Sequence, residues 1–172
     1  MDESYQMIGF GVIMVLYAVV GLLAATGAVS ITQKVLGPRA EQVFYGLFLV
    51  MIAAFYLAFV AYFGNAEAWR AETVAVVLFA MTGMFGVRLP IALFVGYPLH
   101  GIWDLLHELQ AQGYSLFGPG ELTAVPLAYG VLCAAFDIYI AGYAYARRAE
   151  WGAAWLPRPQ EPTTPTAPAP PS

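Results

Sequence analysis

The sequence predicts an all-α protein, a five-helix transmembrane bundle. Two observations lead to this fold class. Of the 172 residues, 60% are hydrophobic and only 10% are charged, with a mean hydropathy of +0.68, whereas soluble domains carry about 25% charged residues. Five apolar stretches also reach or approach the ~20 residues that a spanning helix needs. They lie at residues 7–32, 43–63, 70–87, 89–112 and 122–146.

Each boundary between these stretches carries a turn signal. The first stretch follows an acidic segment without Lys or Arg, so it is interpreted as a retained helix rather than a secretory signal. Gly37-Pro38, Gly64-Asn65 and the 118–120 segment have ordinary turn chemistry. Pro90 lacks an N–H and suits the first turn of a helix. A tight turn before Pro90 then makes the third and fourth helices antiparallel neighbours.

The chain divides into a five-helix transmembrane domain, residues 1–147, and a tail, residues 148–172. The tail contains the run PRPQEPTTPTAPAPPS, which has too few apolar residues to form a core. We therefore expect the tail to be disordered.

Basic residues predict the orientation in the membrane. Arg70 lies in the second loop, and the other six basic residues fall on the opposite side: Lys34, Arg39, Arg88, Arg147, Arg148 and Arg158. Because cytoplasmic loops are enriched in Lys and Arg, the N-terminus is predicted outside and the C-terminus in the cytoplasm. The expected location is the bacterial cytoplasmic (inner) membrane, crossed several times.

The amino-acid composition also limits which ligands and binding partners are expected. The single cysteine, Cys133, excludes an intrachain disulfide and a cysteine-only metal site. A net charge of −4 without a basic cluster gives no sign of nucleic-acid binding. The lipid bilayer is the expected partner, and homo-oligomerisation is left open.

The fourth stretch contains three ionisable residues in the segment PLHGIWDLLHEL. His100, Asp104 and His107 are separated by steps of four and three, which place them on one stripe of a helix. An ionisable side chain in hydrocarbon costs about 2.5–3.5 kcal/mol, so each should face the protein interior and have a partner.

The neighbouring helices supply possible partners. Tyr129, Cys133 and Asp137 form a stripe on the fifth helix, and Glu72 lies near the start of the third. Counting about 1.5 Å per residue brings all these side chains into one polar band in the outer half of the membrane, provided that the fourth and fifth helices are neighbours.

Such a band suits a metal ion, because His and carboxylate groups bind zinc, iron and manganese. The predicted ligands are His100 and Asp104 with either Asp137 or His107, and zinc is favoured. Glu72 and Asp137 are the candidate catalytic carboxylates, one of them acting as general base. The predicted pocket residues are Trp103, Tyr129 and Cys133. The leading hypothesis is a metal-dependent hydrolase of a lipid-like substrate.

Two other classes of function stay open. The same carboxylates and imidazoles could pass protons or cations in a small transporter. Alternatively, hydrogen-bonded polar pairs could simply hold helices together in a structural or assembly subunit.

The polar segments resemble a family of small bacterial integral-membrane proteins that carry a domain of unknown function. The resemblance rests on His100-Gly-Ile-Trp103-Asp104 with a later His, on Tyr129, Cys133 and Phe136-Asp137, on the segment IAGY, and on Glu72. It covers roughly residues 43–146 and implies that the His/Asp/Cys/Asp set belongs together. A weaker analogy is to membrane-embedded zinc hydrolases such as alkaline ceramidases and adiponectin-type receptors. Those have seven helices and three histidine ligands, whereas this chain has two histidines in total.

Overall fold

The structure is a computed structural model that describes residues 3–114, 118 and 120–157. Within those ranges the regular secondary structure is entirely helical, which confirms the predicted all-α class with five helices. The helices are α1 (Glu3–Val35), α2 (Pro38–Phe63), α3 (Trp69–Gly86), α4 (Pro90–Ala111) and α5 (Tyr129–Ala154).

The predicted turns are found where proline and glycine require them. Pro38 and Pro90 each occupy the first turn of a helix, α2 and α4, where a missing N–H removes no intrahelical hydrogen bond. Gly64 ends α2 with a φ of 67°, a left-handed conformation that glycine adopts without strain.

The fifth helix is displaced from its predicted range of 122–146. It begins at Tyr129 because the preceding backbone is bound by side chains: the Leu122 carbonyl accepts hydrogen bonds from Asn65 and Gln110, and the Thr123 N–H donates to Glu72. At its other end α5 continues to Ala154, so the predicted domain limit at residue 147 falls inside this helix. Residues 158–172 of the predicted tail lie outside the described residues.

Three helices are long and apolar enough to cross a membrane: Met7–Val35, Pro38–Phe63 and Tyr129–Ala154. They indicate a membrane protein. The bundle also combines buried polar residues with an exposed apolar surface. Many large apolar side chains are exposed, for example Val15 at 64% and Leu23 at 66%. The buried polar residues are Thr32, Glu41, Gln42, Glu72, His100, Asp104, His107, Glu108, Thr123 and Asp137.

Helix α5 packs on α4 and α1, while α2 packs on α3. Small residues allow the close approaches. A Cβ on Gly130 of α5 would collide with the Asp104 carbonyl oxygen of α4, and one on Gly21 of α1 would collide with the Leu132 carbonyl oxygen of α5. The contact of α4 with α5, which the sequence analysis required for a common site, is therefore present.

Candidate metal centre

Three buried ionisable residues meet between α4 and α5. His100 and Asp104 are one turn apart on α4, and Asp137 faces them from α5. The close approach of the two helices places them there, since a Cβ at Gly101 would lie 3.4 Å from the Asp137 Cβ. All three residues have 1% or less of their surface exposed. We call them the His–Asp–Asp group.

The two carboxylates converge on one nitrogen of the imidazole. Nδ1 of His100 lies 2.8 Å from Oδ2 of Asp137, at hydrogen-bond geometry, and 3.1 Å from Oδ2 of Asp104. One ligand atom from each residue can be chosen so that all three lie within 4.8 Å of one another. This separation allows one ion to be held by all three residues.

The group also has unused binding capacity. Two of its buried atoms, His100 Nε2 and Asp137 Oδ1, have no hydrogen-bond partner in the described part of the chain. Asp104 Oδ2 also accepts no hydrogen bond there, and its contact is the 3.1 Å approach of His100 Nδ1. Buried polar atoms are normally paired, so each such atom calls for an explanation. Two carboxylates beside one imidazole also leave excess negative charge unless a cation or additional protons are present. Both features fit a bound cation.

Tyr56 of α2 connects a third helix to this group. Its hydroxyl donates a hydrogen bond to Oδ1 of Asp104, and its side chain is 1% exposed. The ring lies between the two histidines, with its centroid 5.9 Å from that of His100 and 4.4 Å from that of His107. Tyr56 was not predicted as a site residue, because a tyrosine in the aromatic run AAFYLAF has no distinctive spacing.

His107 pairs with Glu72 instead of joining the His–Asp–Asp group. Its Nε2 lies 2.6 Å from Oε1 of Glu72, and its Nδ1 lies 2.8 Å from the Trp103 carbonyl oxygen. Since a carbonyl can only accept, Nδ1 carries a proton, and a further proton must lie between Nε2 and the carboxylate. Both nitrogens are thus occupied, and the predicted polar band consists of two clusters on either side of the Tyr56 ring.

Glu72, the predicted base, is held by three donors. Besides His107, it accepts hydrogen bonds from the Thr123 N–H at 2.8 Å and from Trp103 Nε1 at 3.3 Å. Trp103 therefore contacts the Glu72–His107 pair, with its ring centroid 5.3 Å from that of His107. The geometry assigns His107 and Trp103 a positioning role around the Glu72 carboxylate.

The other two predicted pocket residues, Tyr129 and Cys133, line a cavity of about 360 Å³ between α2 and α5. Asp137 lines the same cavity, so it borders directly on the His–Asp–Asp group. The remaining walls are apolar and largely aromatic, with Phe48, Phe55, Phe59 and Phe136 among them. We call this cavity the aromatic pocket. Its walls favour an apolar chain over a polar molecule.

A further buried charge, Glu41 at the start of α2, was not predicted as a site residue. Arg147 of α5 lies 2.9 Å from its Oε2, and Trp151 Nε1 donates to the same oxygen at 2.9 Å. The Tyr143 hydroxyl donates to the other oxygen. The spacing of Tyr143, Arg147 and Trp151 by four on α5 was the available signal. Because these donors satisfy the carboxylate, this cluster holds α2 and α5 together.

The fold and the centre together define a class, a helical membrane protein with a buried His–Asp–Asp group. Residues 14–150 match a family of unknown function, DUF6010, and the chain belongs to that family. The match includes most of α1, so the expected limit of 43–146, which left the first helix outside, was wrong. No curated protein and no solved structure matches the chain.

Proposed function

We propose that the chain is a metal-dependent integral-membrane hydrolase of a lipid-like substrate, with a divalent transition metal, zinc favoured, held by His100, Asp104 and Asp137. The observation that carries the proposal is the convergence of these three buried ligands, each with an atom that makes no hydrogen bond in the described part of the chain. Three protein ligands with one position left for water are typical of catalytic zinc sites. A divalent ion would also offset the charge of the two carboxylates.

The aromatic pocket supports an amphiphile as substrate. It brings an apolar cavity to Asp137 from the side of the bundle, between α2 and α5, where a molecule dissolved in the bilayer could enter. An alkyl or acyl chain in the pocket would place its polar end at the His–Asp–Asp group. Cys133 and Tyr129 would contact the substrate close to that end.

The proposed chemistry is addition of water across an ester or amide bond. A bound metal ion would supply a Lewis acid and activate a water molecule. Asp137 is the proposed base, because its Oδ1 has no other hydrogen-bond partner in the described ranges. It would take one proton from water as the hydroxyl adds to the acyl carbon, and return that proton to the leaving oxygen or nitrogen. Glu72, already bonded by three donors, would hold His107 in place.

Elemental analysis of detergent-purified protein tests the metal. We expect about one zinc per chain in the wild type, its loss in His100→Ala, and its retention in His107→Ala, the matched control on the same helix. Absence of bound metal in wild-type protein, both as purified and after incubation with zinc, would overturn the metal site.

A second measurement separates hydrolysis from metal binding. Zinc-loaded protein would be incubated with ester- and amide-linked amphiphiles, and the products identified by mass spectrometry. Release of free acid by the zinc-loaded wild type but not by its metal-free form would support the hydrolase. Stoichiometric zinc without release of acid from either linkage would contradict the enzyme and leave only the metal site.

A proton- or cation-coupled transporter is the second candidate, favoured by the order of the buried polar groups. The Glu72–His107 pair lies beside the Tyr56 ring, and the Tyr56 hydroxyl contacts Asp104 of the His–Asp–Asp group. Such a row of ionisable residues is typical of proton relays in membranes. Uptake into liposomes driven by a pH gradient, and lost in Asp104→Asn, would favour this alternative.

A further inference from the structure

A second, larger cavity of about 620 Å³ lies between α3 and α4, away from the aromatic pocket. We call it the α3–α4 groove. Its apolar walls include Val74, Leu78 and Leu99, whose exposed fractions are 56%, 59% and 51%. The groove therefore opens on the outer surface of the bundle, where a membrane lipid can reach it.

The groove has a charged end and an apolar end. Arg70, Glu67 and Glu121 line one end, at the start of α3, and the lining continues along α3 as far as Thr82. The twelve helical steps from Arg70 to Thr82 span about 18 Å of helix. A long apolar channel that ends in charged groups matches the shape and polarity of a lipid molecule.

The charged end combines one basic and two acidic groups. Arg70 is the basic residue, on an exposed position of α3. The Glu67 carboxylate lies against Gly120, since a Cβ there would be 2.9 Å from its Oε2, and Glu121 is the next residue. Oε2 of Glu121 accepts a hydrogen bond from the Gly118 N–H at 3.2 Å, which holds this carboxylate at the rim.

We propose that the α3–α4 groove binds one phospholipid with a phosphate and a primary ammonium group, as in phosphatidylethanolamine. The Arg70 guanidinium matches a phosphate, which it can bind through two parallel hydrogen bonds. Glu67 and Glu121 accept hydrogen bonds from the ammonium group. A choline headgroup lacks N–H donors for these carboxylates, and an anionic glycerol headgroup lacks the positive charge.

The α3–α4 groove is separate from the proposed metal centre. Phe79 lines the groove, and its ring centroid lies 4.9 Å from that of His100, so this ring stands between the groove and the His–Asp–Asp group. The lipid in the groove is therefore a resident ligand and not the molecule proposed to enter the aromatic pocket.

Native mass spectrometry of the full chain tests the proposal. Delipidated protein in detergent would be titrated with phosphatidylethanolamine, phosphatidylcholine and phosphatidylglycerol that carry identical acyl chains. We expect one phosphatidylethanolamine to be retained per chain under conditions that remove the other two. Arg70→Ala should weaken binding about five-fold, the effect of one basic residue near a lipid headgroup. Lys34→Ala, a matched loss of an exposed basic residue, should have no effect.

A pair of substitutions on α3 tests the location. Val74→Trp fills the groove, whereas Val77→Trp adds the same bulk to an exposed position outside it, 51% exposed in the wild type. Only Val74→Trp should abolish retention of phosphatidylethanolamine. Equal retention of the three lipids by the wild type, or unchanged retention in both Arg70→Ala and Val74→Trp, would overturn the proposal.

Discussion

The Tyr56 hydroxyl donates a hydrogen bond to Oδ1 of Asp104 and leaves Oδ2 of that carboxylate 3.1 Å from His100 Nδ1. A tyrosine on α2 thereby sets the orientation of a candidate ligand on α4. Groups that hydrogen-bond to metal ligands fix their geometry and raise affinity for the ion. Tyr56 is thus a positioning residue for the proposed metal centre.

Tyr56→Phe should weaken zinc binding. Loss of a hydrogen bond to a ligand typically lowers metal affinity about 10–100-fold. Tyr97→Phe is the matched control, because Tyr97 is also buried but its hydroxyl donates to the Tyr45 carbonyl oxygen at 2.8 Å. This control should lose about 0.5–1.5 kcal/mol of stability and keep its zinc affinity. Zinc titration of both purified variants measures the difference, and equal affinities would show that Tyr56 has no positioning role.

The residues of the His–Asp–Asp group could be predicted because ionisable side chains are conspicuous in an apolar helix. Helical spacing places His100 and Asp104 on one face. The turn residues mark the helix boundaries and make the third and fourth helices antiparallel neighbours. Spacing alone did not separate His107 from this group, although seven residues are about 10.5 Å of helix axis. The structure shows why His107 is separate from the His–Asp–Asp group: its Nε2 is occupied by Glu72, whose Oε1 lies 2.6 Å away.

Glu72→Ala should destabilise the fold without releasing zinc. Glu72 and His107 are both fully buried, and removing one member of a buried ion pair costs about 3–5 kcal/mol. Chemical unfolding in detergent measures the loss, and elemental analysis of the folded fraction measures zinc. Thr73→Ala is the control next to Glu72 on α3, since within the described ranges its hydroxyl bonds only to the Trp69 carbonyl of the same helix, and it should keep zinc and lose little stability. Loss of zinc at unchanged stability would instead place Glu72 in the metal centre.

Glu41 shows what sequence patterns leave out. An acidic residue in the first turn of a helix is ordinarily a solvated group that complements the helix dipole, so Glu41 gave no sign of burial. Its role depends on α5 continuing past the predicted end at residue 146. Only the added turns bring Arg147 and Trp151 to its carboxylate.

Arg147→Ala should destabilise the fold more than Glu41→Gln. The Glu41 side chain is fully buried, whereas that of Arg147 is 23% exposed. Removing the arginine leaves a buried carboxylate without a counter-charge, which should lower the unfolding free energy by about 3–5 kcal/mol. Converting Glu41 to the neutral amide lets the guanidinium turn towards water, so the unfolding free energy should fall by only about 1–3 kcal/mol. The unfolding free energies of both variants show which substitution destabilises more. A larger loss in Glu41→Gln than in Arg147→Ala would mean that Glu41 is not the buried member of the pair.

The contact between α4 and α5 at Gly130 should control the geometry of the metal centre. A Cβ there would collide with the Asp104 carbonyl oxygen, and Glu108 Cβ would lie 3.0 Å away. Gly130→Ala should therefore push the helices apart, cost about 1–3 kcal/mol, and reduce zinc binding by moving Asp137 away from His100. Gly142→Ala is the control on the same helix, since a Cβ at Gly142 meets nothing within 4 Å. An interior glycine replaced without a clash should add about 0.5–1 kcal/mol of stability and leave zinc bound. Equal zinc affinity in the two variants would mean that the His–Asp–Asp group does not depend on this close approach.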